Sequence, residues 1–228
     1  MKPILLSALA FLSLHASAQN NSSMTPQLLA SIRMRQPLSE IEKQLGSPGN
    51  ERSNGTEHSV EYKYNNGSFA VLLDSIDRVY QLRYRFEEKA GTDIDFNKVL
   101  KIPSVRSKEE LAALLGTPGE GRIAEGREAW TYYAPNVLLG IHVSTEGGAF
   151  SSRVLYSNGN VAPAVAPAVY RSMKLKKTTP GEAFRLLGMP SLLMADGQTQ
   201  SWEYKTDGGT LALRFEAGLL DYFDVSRK

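Results

Sequence analysis

Polar and apolar residues recur in the same order along three stretches of the chain. Each stretch has a short acidic segment with helical spacing, then the tetrapeptide Leu-Gly-x-Pro, then a run in which every second residue is apolar. The tetrapeptides begin at Leu45, Leu115 and Leu187, which are 70 and 72 residues apart. Because self-similarity at a near-constant spacing is the signature of internal repetition, the pattern predicts three tandem copies of one unit.

The acidic segments are predicted to be helices that end at the tetrapeptide. Ser39, Ser107 and Thr179 precede them and are expected to be N-caps, because a hydroxyl accepts a hydrogen bond from a free N–H group of the first turn. The glycine of the tetrapeptide can adopt the left-handed conformation that closes a helix, and the proline two residues later prevents the helix from resuming. Weaker apolar spacing upstream indicates a second short helix in each copy.

The residues after each tetrapeptide have the period of β-strands. Tyr62, Tyr132 and Tyr204 each lie fourteen residues after the proline, and apolar residues follow each of them at alternate positions. Alternation places the apolar side chains on one face of a sheet, and glycine-rich turns between the runs predict a three-stranded meander. In the third copy the side chains expected to face the helices are those of Trp202, Tyr204, Leu211, Leu213 and Phe215.

These elements predict an α+β fold of three tandem repeats, in which two short helices pack on a three-stranded antiparallel sheet in each repeat. The expected divisions of the chain are a signal peptide at 1–18, repeat unit 1 at 24–86, repeat unit 2 at 93–157, a linker at 158–168 and repeat unit 3 at 169–228.

The first eighteen residues have the pattern of a secretory signal peptide. Lys2 is followed by an apolar run from Ile4 to Leu14 and by Ala16-Ser17-Ala18, which match the basic, apolar and small-residue regions of such peptides. The apolar run is shorter than the roughly 20 residues that a membrane span requires, and no later stretch is long enough. The protein is therefore expected to be exported, to the periplasm or the medium, without a membrane span.

Taken together, the helix, Leu-Gly-x-Pro, the short gap, Trp-x-Tyr and the apolar strand ending in Phe resemble two known groups. One is the outer-membrane assembly lipoprotein of the BamE (SmpA/OmlA) type, and the other is the β-lactamase inhibitor protein, a tandem of such units. The match is best over residues 179–225 and weakest in the first copy, where Val60 replaces the Trp. The resemblance implies this fold and a protein-binding role without catalysis, and it transfers no partner or interface residue.

Composition removes several classes of function. The 228 residues include no Cys, which excludes disulfides, thiol catalysis and a lipid anchor attached through cysteine. A formal net charge of +2 is too small to favour nucleic-acid binding. No catalytic, cofactor or metal motif surrounds His58 or His142, and an enzyme that uses the neighbourhood of His142 is the weakest of the hypotheses.

The sequence therefore favours a non-enzymatic protein-binding or scaffold protein of the cell envelope, with an inhibitor of a periplasmic or extracellular hydrolase, such as a β-lactamase or a protease, as the alternative. Outward-facing residues that differ between the copies are the candidate interface, because Tyr and Arg are over-represented at binding hot spots. These candidates are Glu61, Lys63, Arg83, Arg85, Tyr133, His142, Glu203, Lys205 and Arg214.

Overall fold

The computed structural model describes residues 23–55, 57–87, 94–146, 149–159 and 164–227. The expected signal peptide at 1–18 lies outside the described residues, as does part of the expected linker at 158–168. Along the part of the chain that is described, no helix is both long and apolar enough to cross a membrane.

The described residues form six short helices. They are α1 (Pro26–Ser31), α2 (Leu38–Leu45), α3 (Phe96–Val99), α4 (Lys108–Leu115), α5 (Pro167–Tyr170) and α6 (Pro180–Leu187), with a turn of 3₁₀-helix at Ile102–Ser104 between α3 and α4.

The predicted caps are confirmed for two of the three acidic helices. The Ser107 hydroxyl accepts a hydrogen bond from the Glu110 N–H at 3.1 Å, and Thr179 forms a reciprocal capping box with Glu182. The prediction for Ser39 is wrong: α2 begins at Leu38, two residues earlier than an N-cap at Ser39 requires, and it follows Pro37, whose extended backbone forms a β-bridge with Arg78. The helix therefore starts directly after that bridge, and Ser39 lies inside its first turn.

The predicted glycine ends of the helices are confirmed. Gly46, Gly116 and Gly188 have φ values of 83°, 81° and 75°, in the region that residues with a Cβ avoid. The N–H of each donates to the carbonyl four residues earlier, so each glycine closes its helix and turns the chain toward the sheet.

The described residues also form twelve strands, in three groups of four, and each group follows two of the α-helices. They are β1 (Asn50–Ser53), β2 (His58–Tyr64), β3 (Gly67–Leu73), β4 (Val79–Phe86), β5 (Glu120–Ala124), β6 (Arg127–Ala134), β7 (Val137–Ser144), β8 (Ser151–Asn158), β9 (Leu192–Asp196), β10 (Thr199–Thr206), β11 (Gly209–Glu216) and β12 (Leu219–Arg227).

All twelve strands belong to one antiparallel sheet, in the order of the sequence. The prediction of three α+β repeats, each with its own three-stranded sheet, is therefore wrong. Strands β4 and β5 pair over five residues, and so do β8 and β9. These two pairings join the three groups of strands that the sequence pattern predicts to be separate sheets. The sheet therefore has no internal edge between β1 and β12.

The structure differs from the prediction at β1, β5 and β9, which occupy the stretches predicted to be short gaps before Trp-x-Tyr, or before Val60-x-Tyr62 in the first copy. Strand β1, Asn-Glu-Arg-Ser, contains no apolar residue, and β5, Glu-Gly-Arg-Ile-Ala, contains a glycine. Neither has the alternation that marks a half-buried strand. They are strands because neighbouring strands supply hydrogen-bonding partners, which local sequence does not reveal.

One face of the sheet packs against the helices. The inward positions predicted from alternation are confirmed: Trp202, Leu211 and Phe215 are fully buried, whereas Glu203 and Arg214 are exposed on the other face. The buried residues form two clusters, one around Ile41 of α2 over β2 to β4 and a larger one that contains both Leu111 of α4 and Ala183 of α6. The core is thus continuous beneath the second and third groups of strands and divided between the first and second.

The three tyrosines that follow the prolines differ in their hydrogen bonds. The hydroxyls of Tyr132 and Tyr204 donate to the carbonyl oxygens of Gly116 and Gly188 at 3.0 and 3.1 Å, which ties β6 and β10 to the ends of α4 and α6. The Tyr62 hydroxyl, buried at the corresponding place, meets no hydrogen-bond partner among the described residues. Burial raises the pKa of Tyr62 to about 12.

Removing these hydroxyls is expected to have unequal effects on the free energy of unfolding. Tyr204→Phe should lower it by about 1 kcal/mol, because the Gly188 carbonyl loses its donor. Tyr62→Phe should leave it unchanged or raise it, because a buried hydroxyl without a partner is unfavourable. Urea unfolding of the two variants measures the difference, and equal losses would contradict it.

Gly121 of β5 is expected to be required for the junction between β4 and β5. A Cβ at this position would lie 2.2–2.5 Å from the ring of Tyr84, its partner in β4. Gly121→Ala should therefore destabilise the fold by about 1–3 kcal/mol, as overpacking does, and the loss should disappear in a Tyr84→Ala background.

Gly140→Ala is the control for this substitution, because the nearest atom to a Cβ there is 3.9 Å away. Its effect on urea unfolding should stay within about 0.5 kcal/mol. A Gly121→Ala variant as stable as the Gly140→Ala variant would show that the contact with Tyr84 does not limit this junction.

Candidate functional site

The face of the sheet opposite the helices forms the open face of the molecule. Strand pairing places residues from successive strands side by side across it, since partners in the register share a face. One such row runs through Glu61, Ala70, Arg83, Arg122, Ala129 and His142 on β2 to β7. The row brings together side chains that lie far apart in the sequence.

The most unusual feature of this row is the pairing of two cations. Arg83 of β4 and Arg122 of β5 are direct cross-strand partners, and like charges in that position are destabilising. Arg85, two residues after Arg83, lies on the same face. Together these three residues form the arginine cluster.

The arginine cluster is only partly neutralised. Arg83 lies 3.8 Å from Glu57, and Arg85 lies 3.9 Å from Glu120, both long for an ion pair. Arg122 has no ion pair or hydrogen bond with any described side chain. The cluster can therefore accept additional carboxylate groups, and guanidinium groups suit that role because they donate two parallel hydrogen bonds.

Three adjacent clefts open on this face, and Glu61 lines all of them. The largest, about 920 Å³, is lined by Lys63, Arg85 and Tyr133 among others. The second, about 430 Å³, is lined by the whole arginine cluster and His142. The third, about 380 Å³, lies toward β1. The surface around the cluster is thus shaped rather than flat.

Tyr133 of β6 lines the largest cleft together with Arg85 of the arginine cluster. Its hydroxyl donates to Glu120 Oε2 at 2.9 Å, and the same carboxylate faces Arg85. Burial and then Glu120 raise the pKa of Tyr133, which keeps its hydroxyl protonated. The contact fixes an aromatic ring beside the positive charges.

Beyond Tyr133 the open face carries three exposed apolar side chains. Leu138, Leu155 and Met194, on β7, β8 and β9, are 37%, 42% and 48% exposed. Leu155 is the direct partner of Met194, and Tyr133 is the direct partner of Leu138. We call these three side chains the apolar patch. It adjoins the arginine cluster through Tyr133.

The structure places the sequence-predicted candidates in two groups. Six of them line the two larger clefts: Glu61, Lys63, Arg83, Arg85, Tyr133 and His142. The other three, Glu203, Lys205 and Arg214, are on β10 and β11, beyond the apolar patch. Arg214 is bound to Asp221 at 2.5 Å and lies over the Tyr222 ring.

Sequence reasoning missed Arg122 and the apolar patch. Arg122 belongs to β5, which was not predicted to be a strand. The patch residues are apolar side chains at outward positions of their strands. In β8, Ser-Ser-Arg-Val-Leu-Tyr-Ser-Asn, Leu155 stands between the inward Val154 and Tyr156. An apolar residue at an outward position was the signal that could have identified them.

His58 lies between two carboxylates. The His58 ring contacts Glu51 at 2.8 Å and Asp77 at 2.9 Å through its two nitrogens. The hydrogen bond with Glu51 is the main cause that raises the pKa of His58. No three His, Asp or Glu residues in the described ranges are arranged to hold a metal ion.

Comparison of the chain with protein-family models, with curated proteins and with solved structures gave no match.

The opposition of Arg83 and Arg122 predicts that neutralising Arg122 does not weaken the fold. Arg122→Gln should leave the free energy of unfolding unchanged or raise it by a few tenths of a kcal/mol, because it removes a repulsive cross-strand pair. The matched change is Arg153→Gln, on β8, which breaks a 2.8 Å ion pair with Asp196 across the β8–β9 pairing.

Arg153→Gln should lower the free energy of unfolding by about 0.2–1 kcal/mol, the range for exposed pairs. Urea unfolding at low ionic strength compares the two variants, and added salt should reduce both effects. If Arg122→Gln proves the more damaging change, Arg122 has a structural role that its surroundings do not indicate.

Proposed function

We propose that this protein is an exported, non-enzymatic binding protein of the cell envelope. Its open face, from the clefts of β2 to β6 to the apolar patch of β7 to β9, recognises an acidic segment of a partner protein that also carries apolar side chains. The N-terminal pattern at residues 1–18 supports the export.

The apolar patch beside the arginine cluster is the observation that carries the proposal. Leu155 and Met194 are direct cross-strand partners, and Leu138 lies diagonally from Leu155 on the neighbouring strand. All three are exposed on a face that none of the described helices covers. Contiguous exposed apolar side chains with a polar rim mark interaction sites more often than chance exposure does. Arg, Tyr and Met are also the residue types enriched in protein interfaces.

The charge of the clefts favours an acidic partner. Arg122 and Lys63 have no ion-pair partner among the described residues, and the pairs of Arg83 and Arg85 are long. A carboxylate that enters the second cleft would relieve the repulsion between Arg83 and Arg122. Complementary charges of this kind contribute to specificity and to the rate of association.

Affinity capture from cell-envelope extract tests the proposal with matched variants. The first variant, Arg85→Glu/Arg122→Glu, reverses charge in the clefts, and the second, Leu155→Ser, interrupts the apolar patch. The control, Lys98→Glu/Arg171→Glu, makes the same charge change at exposed positions in α3 and directly after α5.

The wild-type protein and the control are expected to enrich the same acidic protein, and each open-face variant should reduce its recovery by about tenfold, equivalent to a loss of 1.4 kcal/mol. Added salt should weaken capture, because exposed charges are screened. Enrichment of no protein would contradict the proposal, as would a partner retained equally by both open-face variants.

A further inference from the structure

A second concave site lies on the opposite side of the sheet, between α1 and α4. It is a groove of about 350 Å³ over strands β4 to β6. Its lining is mainly apolar and includes Pro26, Leu29, Tyr84, Ala112, Ile123 and Trp130. The groove lies where the buried core divides into its two clusters. The proposed protein-binding face does not include it.

The groove lies at the junction between β4 and β5, and the corresponding place at the other junction, between β8 and β9, is filled by side chains of this chain. There, Phe96 of α3 lies 4.9 Å from Phe184 of α6, 5.1 Å from Tyr156 of β8 and 5.7 Å from Trp202 of β10, measured between ring centroids. These four rings close the layer between helices and sheet, and make the core continuous from the second group of strands to the third.

The residues at the two junctions correspond one to one in position. Phe184 and Ala112 are each the fifth residue of their helix, and the carbonyl of each accepts a 2.8 Å hydrogen bond from the glycine that closes it. Phe96 and Pro26 are each the first residue of theirs. The groove thus has a proline and an alanine where the other junction has two phenylalanines.

The aromatic residues of the sheet that lie under this space are present at both junctions. Tyr84 and Tyr156 occupy the same position in β4 and β8, and Trp130 and Trp202 occupy the same position in β6 and β10. The groove therefore has counterparts of the Tyr156 and Trp202 rings against which Phe96 packs, and it has no aromatic ring at the positions of Phe96 and Phe184. An apolar space of about 150 Å³ is enough to bind benzene, so 350 Å³ can accommodate one or two aromatic rings.

The charges at the groove favour a neutral occupant. Lys108 of α4 forms an ion pair with Glu128 of β6, and Glu128 also accepts a hydrogen bond from Trp130 Nε1 at 2.9 Å. The two opposite charges compensate each other, so a charged group placed here would disturb a satisfied pair. The remainder of the lining offers mainly dispersion and ring contacts.

We propose that this groove binds a small, neutral aromatic molecule of one or two rings, which takes the place that Phe96 and Phe184 occupy at the other junction. Pockets of this size, with mainly apolar walls and few polar groups, are the usual form of small-molecule sites. The bound rings would meet Tyr84 and Trp130 edge to face, as Phe96 meets Tyr156 and Trp202 at interplanar angles of 65° and 81°, an arrangement that aromatic pairs favour.

Titration with indole, followed by methyl NMR of the full chain, tests this site. The wild-type protein should show saturable shifts confined to methyl groups of Leu29, Ala112 and Ile123. Ala112→Phe, which reproduces Phe184, should weaken indole binding by about tenfold or more and should leave the melting temperature unchanged or higher. Ala113→Phe, a neighbour in α4 that does not line the groove, should bind as the wild type does.

Two further variants keep the proposal falsifiable if Ala112→Phe does not fold. Ala30 of α1 also lines the groove, so Ala30→Phe should fill it from that side and also abolish binding. Phe184→Ala opens the matched space at the other junction and should create a second indole site near Tyr156 and Trp202. Indole binding that survives both filling variants, shifts spread over the surface, or no second site in Phe184→Ala would overturn the proposal.

Discussion

The backbone pairing of β4 with β5 and of β8 with β9 is the constraint on which the rest of the structure depends. Groups of four strands that ended at β4 or β8 would each expose an edge with unpaired N–H and C=O groups. Such edges are prone to pair with other chains. Pairing within the chain removes them and leaves two edges among the described strands, at β1 and β12. β1 is short and polar, and β12 carries charged residues and a bulge opposite Arg214.

A continuous sheet also decides where side chains can gather. Neighbouring strands keep their register apart from shifts in the β3–β4 and β11–β12 pairings. The alternation within one strand is therefore largely carried into the next, and the buried apolar positions gather mainly on the helical side. The outward positions of β4 and β5 then meet across the junction, which is how Arg83 comes to face Arg122. In separate sheets these two arginines would have had no fixed relation. The arginine cluster is thus a consequence of the pairing that closes the edges.

Local features of the sequence predicted the elements better than their assembly. Thr179 has its capping box and Gly188 its positive φ because both depend on a few neighbouring residues. Trp202 and Phe215 are buried because alternation reports which face of a strand is apolar. Strand β1 could not be predicted in this way, since Asn50–Ser53 has no apolar residue and is held by pairing with β2. Arg122, at the centre of the candidate site, was missed for the same reason, because it lies on β5, whose sequence does not have the alternation of a strand. Six of the nine predicted candidate residues nevertheless line the two larger clefts of the site.

Corresponding positions with different residues distinguish the two junctions. Where Phe96 and Phe184 meet, the helical layer is closed and the core is continuous, whereas Pro26 and Ala112 leave a groove and a divided core. An unfilled apolar space costs stability, because the groups that line it lose packing partners. The first group of strands also contains a buried Tyr62 hydroxyl without a described partner, where Tyr132 and Tyr204 have glycine carbonyls. Tyr62 does not line the groove, so its hydroxyl is a separate cost to the first group of strands. At the first junction itself, an aromatic ligand in the groove would supply packing contacts that Pro26 and Ala112 do not.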